Sequence, residues 1–291
     1  MTDVPAGKAV LTLRLVKFSH SIFALPFALQ GAWLAAGGMP APRVLALVVV
    51  CAVAARTAAM AFNRLVDRRI DAANPRTATR ELPAGLLSAG SVTLLTALSA
   101  AIFVAGSFTL SPMAGWLSFP VLAVLLGYSL VKRVSWAAHL VLGLALGLAP
   151  LGAWIAVRGD LAGDLLPILL MALAVLTWVA GFDLIYACQD ADFDRSRGLH
   201  SIPARLGVAG ALRLSSLLHV VAVACFVGEG HLAGLGLPYW VLLAVAVLLL
   251  VWEHSIVSPD DLSRVDVAFF TLNGWVGIGL FLGVAVDLAL P

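Results

Sequence analysis

Long apolar runs broken by short polar stretches are the dominant pattern of this chain. Nine runs have the length a helix needs to cross a bilayer, about 20 apolar residues. They cover roughly 18–38, 44–62, 91–110, 114–131, 135–157, 164–182, 208–228, 236–254 and 265–289. Helices are expected because hydrocarbon offers free backbone N–H and C=O groups no partner. Gly and Pro fall between runs, as in Gly37 to Pro42 and Gly234 to Pro238. The pattern predicts an all-α polytopic membrane protein, a single domain over 1–291.

The polar stretches give the predicted bundle an orientation. Lys8, Arg14, Lys17, Arg64, Arg68, Arg69, Arg76, Arg80, Lys132, Arg133, Arg195, Arg197, Arg205, Arg213 and Arg264 all fall on one side. Arg43 and Arg158 fall on the other. Cytoplasmic loops carry the excess of Lys and Arg. The N-terminus and the loops after the second, fourth, sixth and eighth spans are therefore expected in the cytoplasm. The setting would be the cytoplasmic (inner) membrane.

Composition strengthens the membrane reading. Of 291 residues 62% are hydrophobic and 12% charged, against about a quarter charged in soluble domains. The net charge of +2 gives no ground for a nucleic-acid partner. Cys51, Cys188 and Cys225 stand singly, without CxxC, so neither a disulfide framework nor a zinc site is expected. Met1 to Lys17 is mixed and polar and does not read as a cleavable leader.

Two polar segments stand apart, 63–90 and 183–207, each following a span on the cytoplasmic side. They hold seven of the sixteen acids of the chain. Both begin with acids at helical spacing and end in Arg, Pro and Gly, which hints at a duplication with halves near 18–131 and 135–254, plus a last helix 265–289. Asn63, Asp67 and Asp71 are four apart; on a helix each step of four drifts by only about 40°, so they share a face. Asp183, Tyr186, Asp190 and Asp194 do the same at spacings of three, four and four.

Paired carboxylate clusters suit Mg²⁺, which is held by carboxylates together with substrate phosphates. Arg68, Arg76, Arg80, Lys132 and Arg133 lie near them in sequence and suit phosphate oxygens. At the edge of a membrane the combination fits a polyprenyl diphosphate. Taken one at a time, the same residues read as an ordinary basic loop with weak surface ion pairs.

The segment Asn63 to Gly85, NRLVDRRIDAANPRTATRELPAG, resembles the first signature of the UbiA superfamily of intramembrane aromatic prenyltransferases, N-x3-D-x3-D followed by NPRT-x2-R. DLIYACQDADFDRSRGLHS, from Asp183, resembles the second signature, and YSLVKR (128–133) the short Tyr–Lys motif between them. The likeness extends over nearly the whole chain and implies nine helices around a central cavity. It implies that Asn63, Asp67, Asp71, Asp190 and Asp194 hold Mg²⁺ on the diphosphate. Arg68, Tyr128, Lys132 and Tyr186 would help bind it. Asp183 or Asp190 would take the ring proton, and the prenyl tail would lie in an apolar tunnel open to membrane lipid.

Glu81, His200 and Arg64 stand where many relatives have Pro, Lys and Asp. With NPRTA and GLHSIPARLG intact, they resemble the 4-hydroxybenzoate polyprenyltransferase-like branch. That branch includes the enzyme of futalosine-type menaquinone synthesis, which acts on 1,4-dihydroxy-6-naphthoate. Both acceptors are aromatic carboxylates, and Arg56, inside a span, is the cation expected to meet that carboxylate, because an intramembrane charge is usually functional. His20 and His139 read as packed or hydrogen-bonded, and His219, His231 and His254 as incidental. Trp33, Trp154, Trp240 and Trp252 read as interface anchors, and Asp192 as a solvated charge. Two rival classes are a secondary transporter, which would place acids near mid-membrane rather than at one face, and a non-catalytic prenyl-lipid-binding protein, which would need no acid clusters.

Overall fold

The computed structural model describes residues 7–290. Helix α1 (Lys8–Leu15) leads into a 3-10 turn (Phe18–Phe23), then α2 (Leu25–Ala36), α3 (Pro42–Ala73), α4 (Ala89–Leu110) and α5 (Pro112–Val131). There follow α6 (Ala138–Arg158), α7 (Leu166–Ala187), the short α8 (Ala191–Ser196), α9 (Ile202–Leu232) and α10 (Leu237–Ser255). A π-helical turn (Val267–Leu272) then opens α11 (Asn273–Asp287). Among the described residues eight helices are long and apolar enough to span a membrane, and a bent pair at the N-terminus makes a ninth. The protein is an all-α integral membrane protein.

Start signals lie where the chain turns back. Ser88, Ser111 and Ser201 accept from the backbone N–H groups of Ser91, Ala114 and Ala204, capping α4, α5 and α9. Proline occupies the first turn of α2, α3, α5, α7, α9 and α10, where its missing N–H costs no bond.

The expected spans are found, with two instructive differences. The first run, 18–38, is not one helix. Lys17 adopts a left-handed backbone, φ 45°, and the chain winds as a 3-10 turn until Pro26 sits in the first turn of α2. On the side that carries the acid clusters, helices outlast the apolar runs. Helix α3 continues to Ala73 and α7 to Ala187, while α9 already starts at Ile202. Much of the two segments read as loops is therefore helical, and the acids stand on rigid backbone.

Helix α7 is the centre of the bundle, packed between α6 and α9. Its Ile168, Met171, Val175, Trp178 and Val179 are wholly buried. Alpha-6 comes unusually close: a Cβ at Gly143 would overlap the carbonyl oxygen of Leu176, and one at Gly147 that of Ala172. Small residues let membrane helices approach in this way.

Candidate active site

Helices α3, α5, α6 and α7 enclose a polar cavity at the end of the bundle where the two acid segments meet. It is lined by Asn63, Asp67, Asp71, Tyr128, Lys132, Asp183, Tyr186, Asp190, Asp194 and Arg56. Of the residues expected near the site, Arg68 and Arg133 do not line the cavity, although Arg133 pairs with Asp67, and of the two Arg68 has no contact with its acids. It is exposed on the outer face of α3, because one residue beyond Asp67 is about 100° around the helix. Arg76 and Arg80, from the segment after α3, line the cavity instead.

Asp67, Asp71 and Asp190 each face a cation. Asp67, 3% exposed, is 2.9 Å from Lys132 Nζ and 3.2 Å from Arg133 Nη2. Asn63 Nδ2 donates to Asp67 Oδ2 at 3.1 Å and to Ser129 Oγ at 3.3 Å. Asp71, 5% exposed, accepts from Arg80 Nη1 at 2.8 Å, and Arg64 Nη1 approaches its Oδ2 at 3.8 Å. That Oδ2 atom is buried with no hydrogen bond.

The two segments join across the cavity through Asp190. Asp190 Oδ1 accepts from Asn74 Nδ2 at 3.0 Å and from Arg76 Nε at 3.0 Å, and Arg76 Nη2 pairs with Oδ2. Arg76 Nη1 also donates to the Tyr186 hydroxyl at 2.9 Å. Burial opposes the charge of Arg76, but these bonds to Asp190 and Tyr186 outweigh it and hold the guanidinium above the ordinary arginine range. Asp194 and the backbone of Ser201 and His200 close the same wall, with His200 N donating to the Lys132 carbonyl at 2.8 Å.

His139 is buried at the start of α6, and its Nδ1 donates to Asp183 Oδ2 at 2.7 Å. His20 packs against Phe23, Phe269 and Phe270. Both histidines are placed as expected. Asp192 is solvent-exposed and pairs only with Arg195. His219 is buried and lies 2.9 Å from His254, both outside the cavity. Trp154 is not a surface anchor, since it is buried. The acids do not all cluster at one face either. Glu229 and Glu253 are wholly buried outside the cavity, Glu229 accepting from Gln30 Nε2 at 2.8 Å. No spacing marks these lone acids in the sequence.

The polar cavity adjoins an apolar one and shares Arg56, Met60, Tyr128, Leu142 and Leu146 with it. The second space is walled by α2 to α6, largely by alanines with Phe103, Leu110, Leu117 and Leu125. Arg56 stands at the junction, its Nε buried without a hydrogen-bond partner.

The sequence matches the UbiA prenyltransferase family over residues 24–275. The chain belongs to this family. It is accordingly a prenyltransferase. It is 31% identical over 294 residues to a 4-hydroxybenzoate octaprenyltransferase of Pectobacterium atrosepticum, covering 98% of this chain and 99% of that one. The UbiA homologue of Aeropyrum pernix, solved in its apo form, is 40% identical with a TM-score of 0.83, over 92% of this chain and 98% of that one. A UbiA homologue of Archaeoglobus fulgidus, bound to GPP and Mg²⁺, shares the fold at a TM-score of 0.74 and 16% identity, over 96% of this chain and 100% of that one.

Among the described residues no group of three or more His, Cys, Asp or Glu is gathered tightly enough to hold a metal alone. The donor set nonetheless fits Mg²⁺: hard oxygens on two sides of one cavity, with Asp71 Oδ2 buried and accepting no hydrogen bond. Mg²⁺ commonly takes one or two carboxylates and fills its shell with substrate phosphate.

Proposed function

We propose that the protein transfers a polyprenyl group from its diphosphate to 4-hydroxybenzoate, in a Mg²⁺-dependent reaction of quinone synthesis at the cytoplasmic membrane. The observation that carries this reading is the junction of two cavities. One is lined by paired acids and cations, the other is apolar, and Arg56 and Tyr128 stand between them. A diphosphate and its hydrocarbon tail need that division. The names of relatives such as the Pectobacterium enzyme support the acceptor.

In this reading Asn63, Asp67, Asp71, Asp190 and Asp194 hold the metal, which would neutralise the leaving diphosphate. Lys132, Arg76 and Arg80, now paired with Asp67, Asp190 and Asp71, turn to the diphosphate oxygens when it binds. Tyr128 lies where the diphosphate would meet its tail. Arg56 takes the acceptor carboxylate, leaving the hydroxyl-bearing ring over the allylic carbon. Asp183 is the better placed of the two candidates for the ring proton. It is held by His139, whereas Asp190 is engaged by Asn74 and Arg76. The apolar wall excludes water, so the allylic cation meets the ring rather than solvent.

The test is prenylation by purified protein in detergent with Mg²⁺ and a medium-chain prenyl diphosphate, offering 4-hydroxybenzoate and 1,4-dihydroxy-6-naphthoate in parallel. Product from 4-hydroxybenzoate that vanishes with EDTA is expected. Product from the naphthoate alone would move the enzyme to the menaquinone branch. No product from either would overturn the proposed chemistry.

A further inference from the structure

The site just described leaves a buried polar chain unused. It runs from Glu253 on α10 through Asn273 at the start of α11 to Trp178 on α7, and all three side chains are wholly buried. Asn273 Oδ1 accepts from Trp178 Nε1 at 2.6 Å. Its Nδ2 donates to Glu253 Oε1 at 2.9 Å and to the Ala268 carbonyl at 2.9 Å. A side-chain amide has two N–H donors and one acceptor oxygen, and here both kinds are engaged. No apolar residue of the same size supplies either.

The Ala268 carbonyl belongs to the π-helical turn Val267–Leu272. Such turns are rare and occur mostly at functional sites. This one puts Phe269 into the wall of the polar cavity, tilted against Tyr186 with ring centroids 4.3 Å apart. The Tyr186 hydroxyl accepts from Arg76, which grips Asp190. Contacts thus run without a break from the Trp178–Asn273 bond, through the π turn and Phe269, to the bridge between the two acid segments.

We propose that Asn273 is a positioning residue for diphosphate binding: it fixes the π turn so that Phe269 braces Tyr186, and Tyr186 aims Arg76 across the cavity mouth. The proposal rests on the reading of that cavity as the diphosphate site. Asn273 touches no substrate, so its loss should weaken donor binding and leave the chemical step alone.

The experiment is a double-mutant cycle on the full chain in detergent with Mg²⁺. Asn273→Leu, Phe269→Ala and the double variant are compared, with Glu253→Gln, which keeps an acceptor for Asn273, as control. Affinity for geranyl thiolodiphosphate is read by calorimetry, and kcat and KM by turnover. Each single variant should bind the analogue about fivefold more weakly, the scale of one lost hydrogen bond. The double variant should be no weaker than either, since both cut one path. The donor KM should rise in step while kcat stays within about twofold, and Glu253→Gln should bind as the wild type does. A folded Asn273→Leu with unchanged affinity, or additive losses in the double variant, would overturn the proposal. If Asn273→Leu does not fold, Trp178→Phe, which removes the donor to Asn273 Oδ1, carries the same comparison, and unchanged affinity there overturns it. Failure of the wild type to bind the analogue would overturn the diphosphate site as well, whereas normal wild-type binding with an unaffected variant overturns the positioning role alone.

Discussion

Asp67 shows how one side chain can carry both halves of the proposed chemistry. It is buried, yet Asn63, Lys132 and Arg133 all point at it. Removing its charge leaves Lys132 and Arg133 without a counterion and, in this reading, the metal without a ligand. Asp67→Asn and Asp190→Asn should each lower turnover by about a hundredfold or more, the scale of losing one electrostatic stabiliser, with the protein still monodisperse. Near-normal rates from either would defeat the proposal that both acid segments hold the metal. Arg56 makes a different prediction. Arg56→Gln should raise the KM for the aromatic carboxylate about tenfold or more, as expected for a lost charged hydrogen bond, and leave the KM for the prenyl diphosphate unchanged. At this scale the sequence was legible wherever residues repeat at helical spacing: Asn63, Asp67 and Asp71 do share a face of α3 toward the cavity. It misled at Arg68, where nearness in sequence is not nearness in space. It was silent on Asn273 and Phe269, which gain their meaning from a π turn that no spacing announces.

The helices that outlast their apolar runs matter most at the scale of elements. Because α3 and α7 continue beyond the hydrophobic stretches, Asp67, Asp71 and Asp183 are presented on long helices, the arrangement that holds ligands most precisely, while Asp190 and Asp194 follow on a 3-10 turn and the short α8. Apolar periodicity could not show this, since it stops where the side chains become polar while the backbone hydrogen bonds run on. The broken first span was equally hidden: Pro26 marks a helix start, but the left-handed backbone at Lys17 is unusual for a non-glycine residue. The α6–α7 crossing supplies a test of packing. At Gly147 a Cβ would overlap the backbone of Ala172, so Gly147→Val must part the two helices. We expect a loss of about 1–3 kcal/mol, the usual cost of overpacking, read as a lower unfolding temperature of the purified protein. Unchanged stability would mean that the crossing is looser than the structure shows.

Across the whole molecule, the acid segments share one end of the bundle, and the basic residues share it with them. The positive-inside rule predicts that this end faces the cytoplasm. The three native cysteines are buried, so labelling of introduced cysteines is expected to meet little background. Ser196→Cys should react with a membrane-impermeant thiol reagent only from the cytoplasmic face, and Asp160→Cys only from the opposite face. The reverse pattern would invert the topology. The bundle follows from hydropathy, and the expected orientation from charge bias, properties summed over many residues. The pairing of Asp190 with Arg76 across 114 positions is a tertiary fact that summed properties do not contain.

The most direct measurement is calorimetric binding of geranyl diphosphate to the wild-type protein, with Mg²⁺ and then with EDTA, beside Asp67→Asn and Asp190→Asn. If the two acid segments hold a metal-bound diphosphate together, binding requires Mg²⁺ and is lost in both variants. Binding that survives EDTA, or that persists in either variant at wild-type strength, would contradict it.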